Sequence, residues 1–363
     1  MVYLAWFAFG LLALRSGVAI FNFITQPYLP ARAEVDEPMV SILIPVRNEA
    51  NNIPHLLKSL AALSYANLEV LVYNDDSTDE TAAIVSNFKR PFPLRVIEGT
   101  TLPAGWLGKS HACHFLALEA MGDYFLFLDA DVTVEPDLIP KLVTFMRKEK
   151  LALISIFPYQ RMDTFGEKMV VPVMHWILVS FLPLLLVRIT RKVSLSAANG
   201  QLMFFDAATY RTCQWHQQVK SIRVEDIAIA RLVKGARLRM ATLLSRGEVN
   251  CRMYGSYSEA VSGLSRSVCA FFGESHLAML LFSLFSTLGV VIVFLFLSPI
   301  FGFIYLLLVL VLRVMVSFAA EQSAVFNVCS IVVQQFAFLQ MVVKSLTSKI
   351  RGKTEWKGRN LSA

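Results

Sequence analysis

Two hydrophobic rhythms alternate along this chain. Residues 2–24 form a long apolar run interrupted by Arg15 and a few small polar residues, and 277–301 carry no charge. Each is long enough to span a bilayer's hydrocarbon. A third apolar run, 303–320, is interrupted by Arg313, and a fourth, 324–343, by Asn327, Gln334, Gln335 and Gln340. Between these ends the apolar runs are short. Residues 40–45, 68–73, 94–98, 124–128 and 150–157 read as strands, with helices near 53–63, from Glu80, and over 110–121 and 224–233. Residues 197–205 read as a strand or turn. Strands alternating with helices predict an α/β fold with a mainly parallel sheet. Such sheets bind ligands at the carboxyl ends of their strands.

That edge is where the polar residues fall. Pro45, Arg47 and Glu49 follow the first strand. Asp75, Asp76 and Asp79 follow the second, and Asp129 and Asp131 follow the buried run 124–128. Singly, each cluster fits a capped helix or a solvated turn, and that reading is kept for Glu49 and Asp79. Together on one edge they predict a site for a cation, for sugar or base donor groups, or for both. Two acids one residue apart at a strand end can hold a divalent cation, and that cation can neutralise a diphosphate leaving group.

Composition sharpens the division. The 363 residues are 55% hydrophobic and 17% charged, too apolar for a typical soluble domain. Residues 2–24 lack a basic stretch before the apolar run and exceed a usual cleaved core, so an uncleaved anchor is expected rather than a signal peptide. The net charge is +7, and Lys344, Lys349, Arg351, Lys353, Lys357 and Arg359 oppose one acid, Glu355. The positive-inside rule places this tail in the cytoplasm, against an anionic membrane surface and not nucleic acid. The five cysteines contain no Cys-x-x-Cys pair and fit reduced thiols. His111, Cys113 and His114 fall on a helix where 111 and 113 do not share a face, so no metal site is expected there. Residues 169–189, broken by Pro172 and Pro183 and followed by Arg188, Arg191 and Lys192, predict an interfacial helix or helix pair.

The order Ser41 to Glu49, Tyr73 to Asp79, Asp129-Ala130-Asp131 and Val224-Glu225-Asp226 resembles glycosyltransferase family 2, with the GT-A fold. The resemblance spans about residues 40–240. Gly105 to Lys109 and Trp356 to Arg359 are similar to membrane members that glycosylate lipids, including carotenoid (diaponeurosporenoate-type) and hopanoid-associated enzymes. It implies that Pro45, Arg47 and Glu49 border a uridine pocket. Asp76 would hydrogen-bond the uracil, with Asp75 close by. Asp129 would touch ribose or sugar, Asp131 would ligate Mg²⁺ or Mn²⁺, and Asp226 would be the general base. Glu225 is assigned beside it on the acceptor side; simple acidity at a helix N-terminus is the alternative for this pair. Lys109 and Trp106 are expected on a flexible loop, touching donor phosphate or sugar and acceptor respectively, or else packing on the bilayer. Processive members carry Gln-x-x-Arg-Trp downstream; this chain has none. Arg266, then Arg252, are the candidates to contact diphosphate in its place.

These readings predict a GT-A domain over 39–274 with an interfacial segment at 165–192. An anchor at 1–25, membrane helices within 277–343 and a basic tail at 344–363 complete the plan. Helices 277–301 and 303–320 would form a hairpin, with 324–343 at the interface, so that catalytic domain and tail both face the cytoplasm. The expected reaction is inverting transfer of one sugar from a UDP-sugar, UDP-glucose being a candidate, to a carotenoid or terpenoid acid or alcohol in the membrane. Synthesis of a cell-surface polysaccharide or glycolipid precursor, and a non-catalytic scaffold with a degenerate site, are the alternatives. A transporter would need more intramembrane polar residues than Arg313 and Glu321. Sequence does not fix the oligomeric state.

Overall fold

The computed structural model describes residues 1–30, 37–89, 91–351, 355–356 and 359–360. Part of the expected linker and eight residues of the expected tail, Lys353 and Lys357 among them, lie outside them. The chain divides into two compact units, both discontinuous in sequence. Tyr28–Arg161 and Leu185–Arg252 make an α/β unit. Met1–Pro27, Met162–Leu184 and the residues from Met253 make a helical one. The grouping therefore parts from the expected 39–274 block at 162–184 and 253–274.

Ten strands position the site in the α/β unit: β1 (Val40–Val46), β2 (Leu68–Asn74), β3 (Leu94–Glu98), β4 (Tyr124–Leu128), β5 (Val132–Val134), β6 (Leu153–Phe157), β7 (Tyr159–Gln160), β8 (Leu202–Asp206), β9 (Met240–Leu244) and β10 (Val249–Cys251). Seven form one sheet in the order β3-β2-β1-β4-β8-β6-β9, and β5-β10-β7 form a second. In β1, β2 and β4 nearly every side chain is buried, including Leu43, Val70, Val72 and Phe125. Strands covered on both faces read as continuous apolar runs. Each such side chain contributes roughly 1.5–3 kcal/mol through burial.

β1 runs parallel to β2 and β4, while β8 is antiparallel to β4 and β6. The sheet is thus mixed. This one reversal matters for the site. Because Leu128 pairs with Leu202, the residues entering β8 sit at the edge where β4 ends.

The helical unit contains Val2–Thr25, His276–Phe296 and Pro299–Ala319, the three helices among the described residues long and apolar enough to cross a membrane. Ile331–Arg351 is not one of them. The apolar stretch before Ile189 is three short helices, Phe165–Val170, Pro172–Phe181 and Leu184–Ile189. Pro183 breaks the run because it has no N–H to offer Val179 O four residues back. Asn22 makes up the loss: Nδ2 donates to Val179 O and Leu182 O, both at 2.8 Å, and Oδ1 accepts from Leu184 N at 2.8 Å.

Candidate active site

Three strand ends and two helix starts meet at one edge of the α/β unit. Leaving β1, the chain takes a left-handed turn at Asn48 (φ 52°); leaving β2, it does so at Asp76 (φ 55°). Asparagine and aspartate tolerate this region better than most residues. The two turns lock together. Asn48 N donates to Ser77 Oγ at 3.1 Å, Thr78 N to Asn48 Oδ1 at 2.8 Å, and Ala50 N to Asp79 Oδ2 at 3.1 Å. Asp79 is thus a brace between turns, and Glu49 accepts from Asn52 Nδ2 at 2.8 Å.

Arg47 reaches across the same gap. Its Nη1 donates to the carbonyls of Asp75 at 2.6 Å and Asp76 at 3.2 Å and lies 3.6 Å from Asp76 Oδ2. The Arg47 side chain is mostly covered, whereas that of Asp76 is 74% exposed. Asp75 is buried, and Pro45 pairs with Tyr73 across the strands. This cluster presents an open carboxylate held in place by a guanidinium and rigid turns.

The second cluster centres on Lys109. It lies in the first turn of the helix Gly108–Glu119, not on a flexible loop as expected. Leu107, the extended residue before that helix, is tied by its N–H to Lys220 O at 2.7 Å. Lys109 Nζ contacts Asp129 Oδ1 at 2.8 Å and Glu225 Oε1 at 3.1 Å. Burial works against its charge, but Asp129 and Glu225 outweigh burial and hold the ammonium well above its usual range. Trp106 packs inward, its indole stacked on His114 with centroids 5.2 Å apart.

Glu225 and Asp226 open the helix Glu225–Gly235. Asp226 Oδ2 accepts from Gly200 N at 2.8 Å and Oδ1 from Ile227 N at 2.7 Å. Burial first, then the neighbouring Glu225, push Asp226 up to about 7, against the pull of Lys109 and both N–H groups. Asp131 is likewise raised to about 7, by burial and then by Asp129 and Glu49. Asp129 is raised by burial even though Lys109 opposes the shift.

Sequence reasoning missed the residues entering β8. Gln201 Nε2 lies 3.3 Å from Asp131 Oδ2 and 2.8 Å from Cys251 Sγ, while Gln201 O accepts from Asp129 N at 3.1 Å. It therefore orients both acids. A Cβ at Gly200 would stand 2.9 Å from Lys109 Nζ and 3.2 Å from Glu225 Oε1, so a larger residue would make those side-chain ends shift. The Asn199-Gly200 pair, a turn signal before an apolar run, was the available cue.

The structure thus gathers Lys109, Asp129, Asp131, Glu225 and Asp226, with Glu49 near enough to repel Asp129 and Asp131. Arg252 is exposed just beyond β10, and Arg266 belongs to the helical unit. Among the described residues, no three His, Cys, Asp or Glu side chains alone make a metal site. The donors are nonetheless all hard oxygens whose mutual repulsion a cation would relieve. One or two carboxylates completed by substrate phosphates and water are what Mg²⁺ commonly takes.

The family described as Glycosyl transferase family 2 matches residues 41–209. This chain carries a glycosyl transferase family 2 domain. Lys109, Asp129 and Asp131 fall within the match, and Glu225 and Asp226 follow it. The 4,4'-diaponeurosporenoate glycosyltransferase of Staphylococcus haemolyticus is 30% identical over 256 residues, covering 67% of this chain and 64% of that protein. The protein of the same name in Staphylococcus aureus is 33% identical over 159 residues, covering 43% of this chain and 41% of that protein. This chain thus spans less than two thirds of the length of these relatives. The mannosyltransferase PcManGT from Pyrobaculum calidifontis, solved with GDP-Man and Mn²⁺, shares the fold at a TM-score of 0.56 and 16% identity, covering 97% of this chain and all of that one.

Proposed function

We propose that this chain is a membrane-anchored, inverting glycosyltransferase that moves one sugar from a UDP-sugar to a carotenoid-type lipid acid or alcohol. The observation that carries the reading is the Lys109–Asp129–Glu225 contact, with Asp226 and Asp131 beside it, on the carboxyl edge of the sheet. The names of the Staphylococcus relatives support the acceptor class. The open carboxylate of Asp76 and the braced Arg47 suit the donor and acceptor groups of a pyrimidine ring. Asp131, with Asp129, would hold a divalent cation, which when bound offsets the charge of the departing diphosphate.

Asp226 supplies the base. The acceptor oxygen bonds to the anomeric carbon as the bond to the diphosphate oxygen breaks, and for an alcohol the proton passes to an Asp226 carboxylate oxygen. At about 7, that carboxylate is ionised in a useful fraction near neutral pH and is basic enough to take the proton. A carboxylic acid acceptor is already ionised and has no proton to lose. The catalytic unit faces the cytoplasm in this reading, where nucleotide sugars are made, and the apolar helices keep the acceptor at hand.

The test uses the purified protein with UDP-sugars, GDP-sugars as controls, and matched acid and alcohol forms of one polyene lipid, with products read by mass spectrometry. UDP-sugars are expected to serve. Asp226→Asn should slow transfer to the alcohol by about 10²–10⁴-fold and to the acid much less. Equal losses on both acceptors would remove Asp226 as the base. Transfer from GDP-sugars alone would overturn the donor assignment.

A further inference from the structure

Two cations in the helical unit have no part in the reaction above. Arg15, within Val2–Thr25, and Arg313, within Pro299–Ala319, are each only 4% exposed. Arg15 Nη2 and Nε donate to Ser180 Oγ at 2.8 and 3.2 Å. Its Cζ lies 4.6 Å from the ring centroids of Trp176 and Phe282 and 5.1 Å from that of Phe181. Arg313 Nη1 donates to Gln334 Oε1 at 3.0 Å, and its Cζ is 4.4 Å from the Trp176 ring. The two guanidinium groups therefore share one indole.

Every one of these partners is neutral. Gln334 is committed elsewhere, its Nε2 donating to Asn327 Oδ1 at 2.9 Å and Lys168 O at 3.1 Å. Among the described residues no Asp or Glu forms an ion pair with either arginine. Ring faces ease a buried positive charge but do not cancel it. Nor do they occupy five N–H donors per guanidinium. Two like charges against one indole in an apolar bundle are costly unless an anion offsets them. A guanidinium fork matches the paired oxygens of a carboxylate or phosphate. Trp176, Phe181, Phe282 and Phe338 pack ring against ring around the pair, faces that suit a flat or unsaturated chain.

We propose that Arg15 and Arg313 form a binding site, inside the helical unit, for the oxyanion that ends an apolar chain. An ionised lipid acid and a resident acidic phospholipid share that chemistry. The site binds whether or not the transfer reaction assigned above is correct, so the two readings fail separately.

The full-length protein is reconstituted in phosphatidylcholine nanodiscs at alkaline pH, where retinoic acid is ionised. Binding of radiolabelled retinoic acid is compared with that of retinol, its alcohol. The wild type should prefer the acid by about tenfold or more, the strength of a charge-assisted pair. Arg15→Gln and Arg313→Gln should each erase most of that preference and leave retinol binding unchanged. Nanodiscs doped with phosphatidylglycerol separate the sources. Displacement of the acid, lost in both Gln variants, makes the phospholipid the occupant; no displacement assigns the site to the acid. Equal wild-type affinity for acid and alcohol with no Gln-sensitive phosphatidylglycerol binding would overturn the proposal. So would an undiminished acid preference in both variants. The wild-type comparison stands even if a variant fails to fold, and UDP binding on the same samples reports separately on the α/β unit.

Discussion

At the sheet edge, Asp129 and Glu225 close on the single ammonium of Lys109, with Asp131 and Asp226 beside them. In the helical unit, two guanidinium groups close on the single indole of Trp176 and, among the described residues, on no carboxylate. One unit concentrates negative charge that a metal and a lysine can answer. The other concentrates positive charge that only neutral groups answer. The difference lies in what each region must meet. In the proposed reaction the edge releases a polyanion, and burial together with mutual repulsion raises Asp131 and Asp226 to about 7. In the helical unit both arginines are buried, and ring faces, the Ser180 hydroxyl and the Gln334 amide hold them.

The largest effect expected is at the edge. Lys109→Met leaves Asp129 facing Glu225 without a cation, and Asp131→Ala removes the expected metal ligand. Each should cut transfer by about 10²–10³-fold or more, as loss of a key electrostatic contact does elsewhere. Steady-state transfer and metal-dependent UDP affinity, measured by calorimetry, check this. Full activity of Asp131→Ala in the presence of EDTA would take the metal out of the edge.

A smaller effect, on stability alone, is expected in the helical unit. Asn22→Leu strips three hydrogen bonds, two of them buried, from the break at Pro183. Leaving those backbone groups unpaired should cost about 1–3 kcal/mol. The detergent-solubilised protein should melt earlier with its UDP affinity unchanged. A drop in UDP affinity equal to that of Lys109→Met would mean that the two units are not energetically separable.

The α/β elements were legible because each carries a local signal. The expected strands at 94–98 and 124–128 match β3 and β4 to the residue; β4 is an unbroken apolar run buried throughout, whereas β3 is a half-exposed edge strand bounded by polar residues. The acidic positions were legible because chemistry restricts their type. Less was readable where a long-range pairing decides. Nothing local announces that β8 enters the sheet reversed, so Gly200 and Gln201 went unnoticed although they set the closeness of Lys109 and the posture of Asp131. Helix Leu138–Glu149 and the short strands β5, β7 and β10 also passed unread; two or three residues are too few for a period to show. In the helical unit Arg15 and Arg313 looked like interruptions of hydrophobic runs. Their meeting at Trp176 joins residues from three distant segments, and no spacing along the chain encodes it.

The finest test of the contrast is a change of charge without a change of shape. Glu225→Gln keeps the side chain's size but removes the repulsion that, after burial, holds Asp226 up to about 7. It also frees Lys109 to act on Asp226 more strongly, and both changes favour the carboxylate. The pKa of Asp226 should therefore fall, by about one unit or less. For an alcohol acceptor the rate should rise with pH through about 7 in the wild type, as the base ionises, and through a lower pH in Glu225→Gln. Stability has the opposite sign. Because the folded value lies above the ordinary 3.8, the unfolded chain releases its proton first as pH rises. Folding thus loses stability between about 4 and 7 and no more above that. The variant should narrow that window and so reduce the stability that Asp226 itself takes away at neutral pH. With an acid acceptor no proton moves to Asp226, so the same pair of proteins should show no such displacement of the rate profile. Profiles that coincide on the alcohol, or that shift equally on both acceptors, would show that Asp226 takes no proton and that the raised carboxyl serves only to limit charge at the edge.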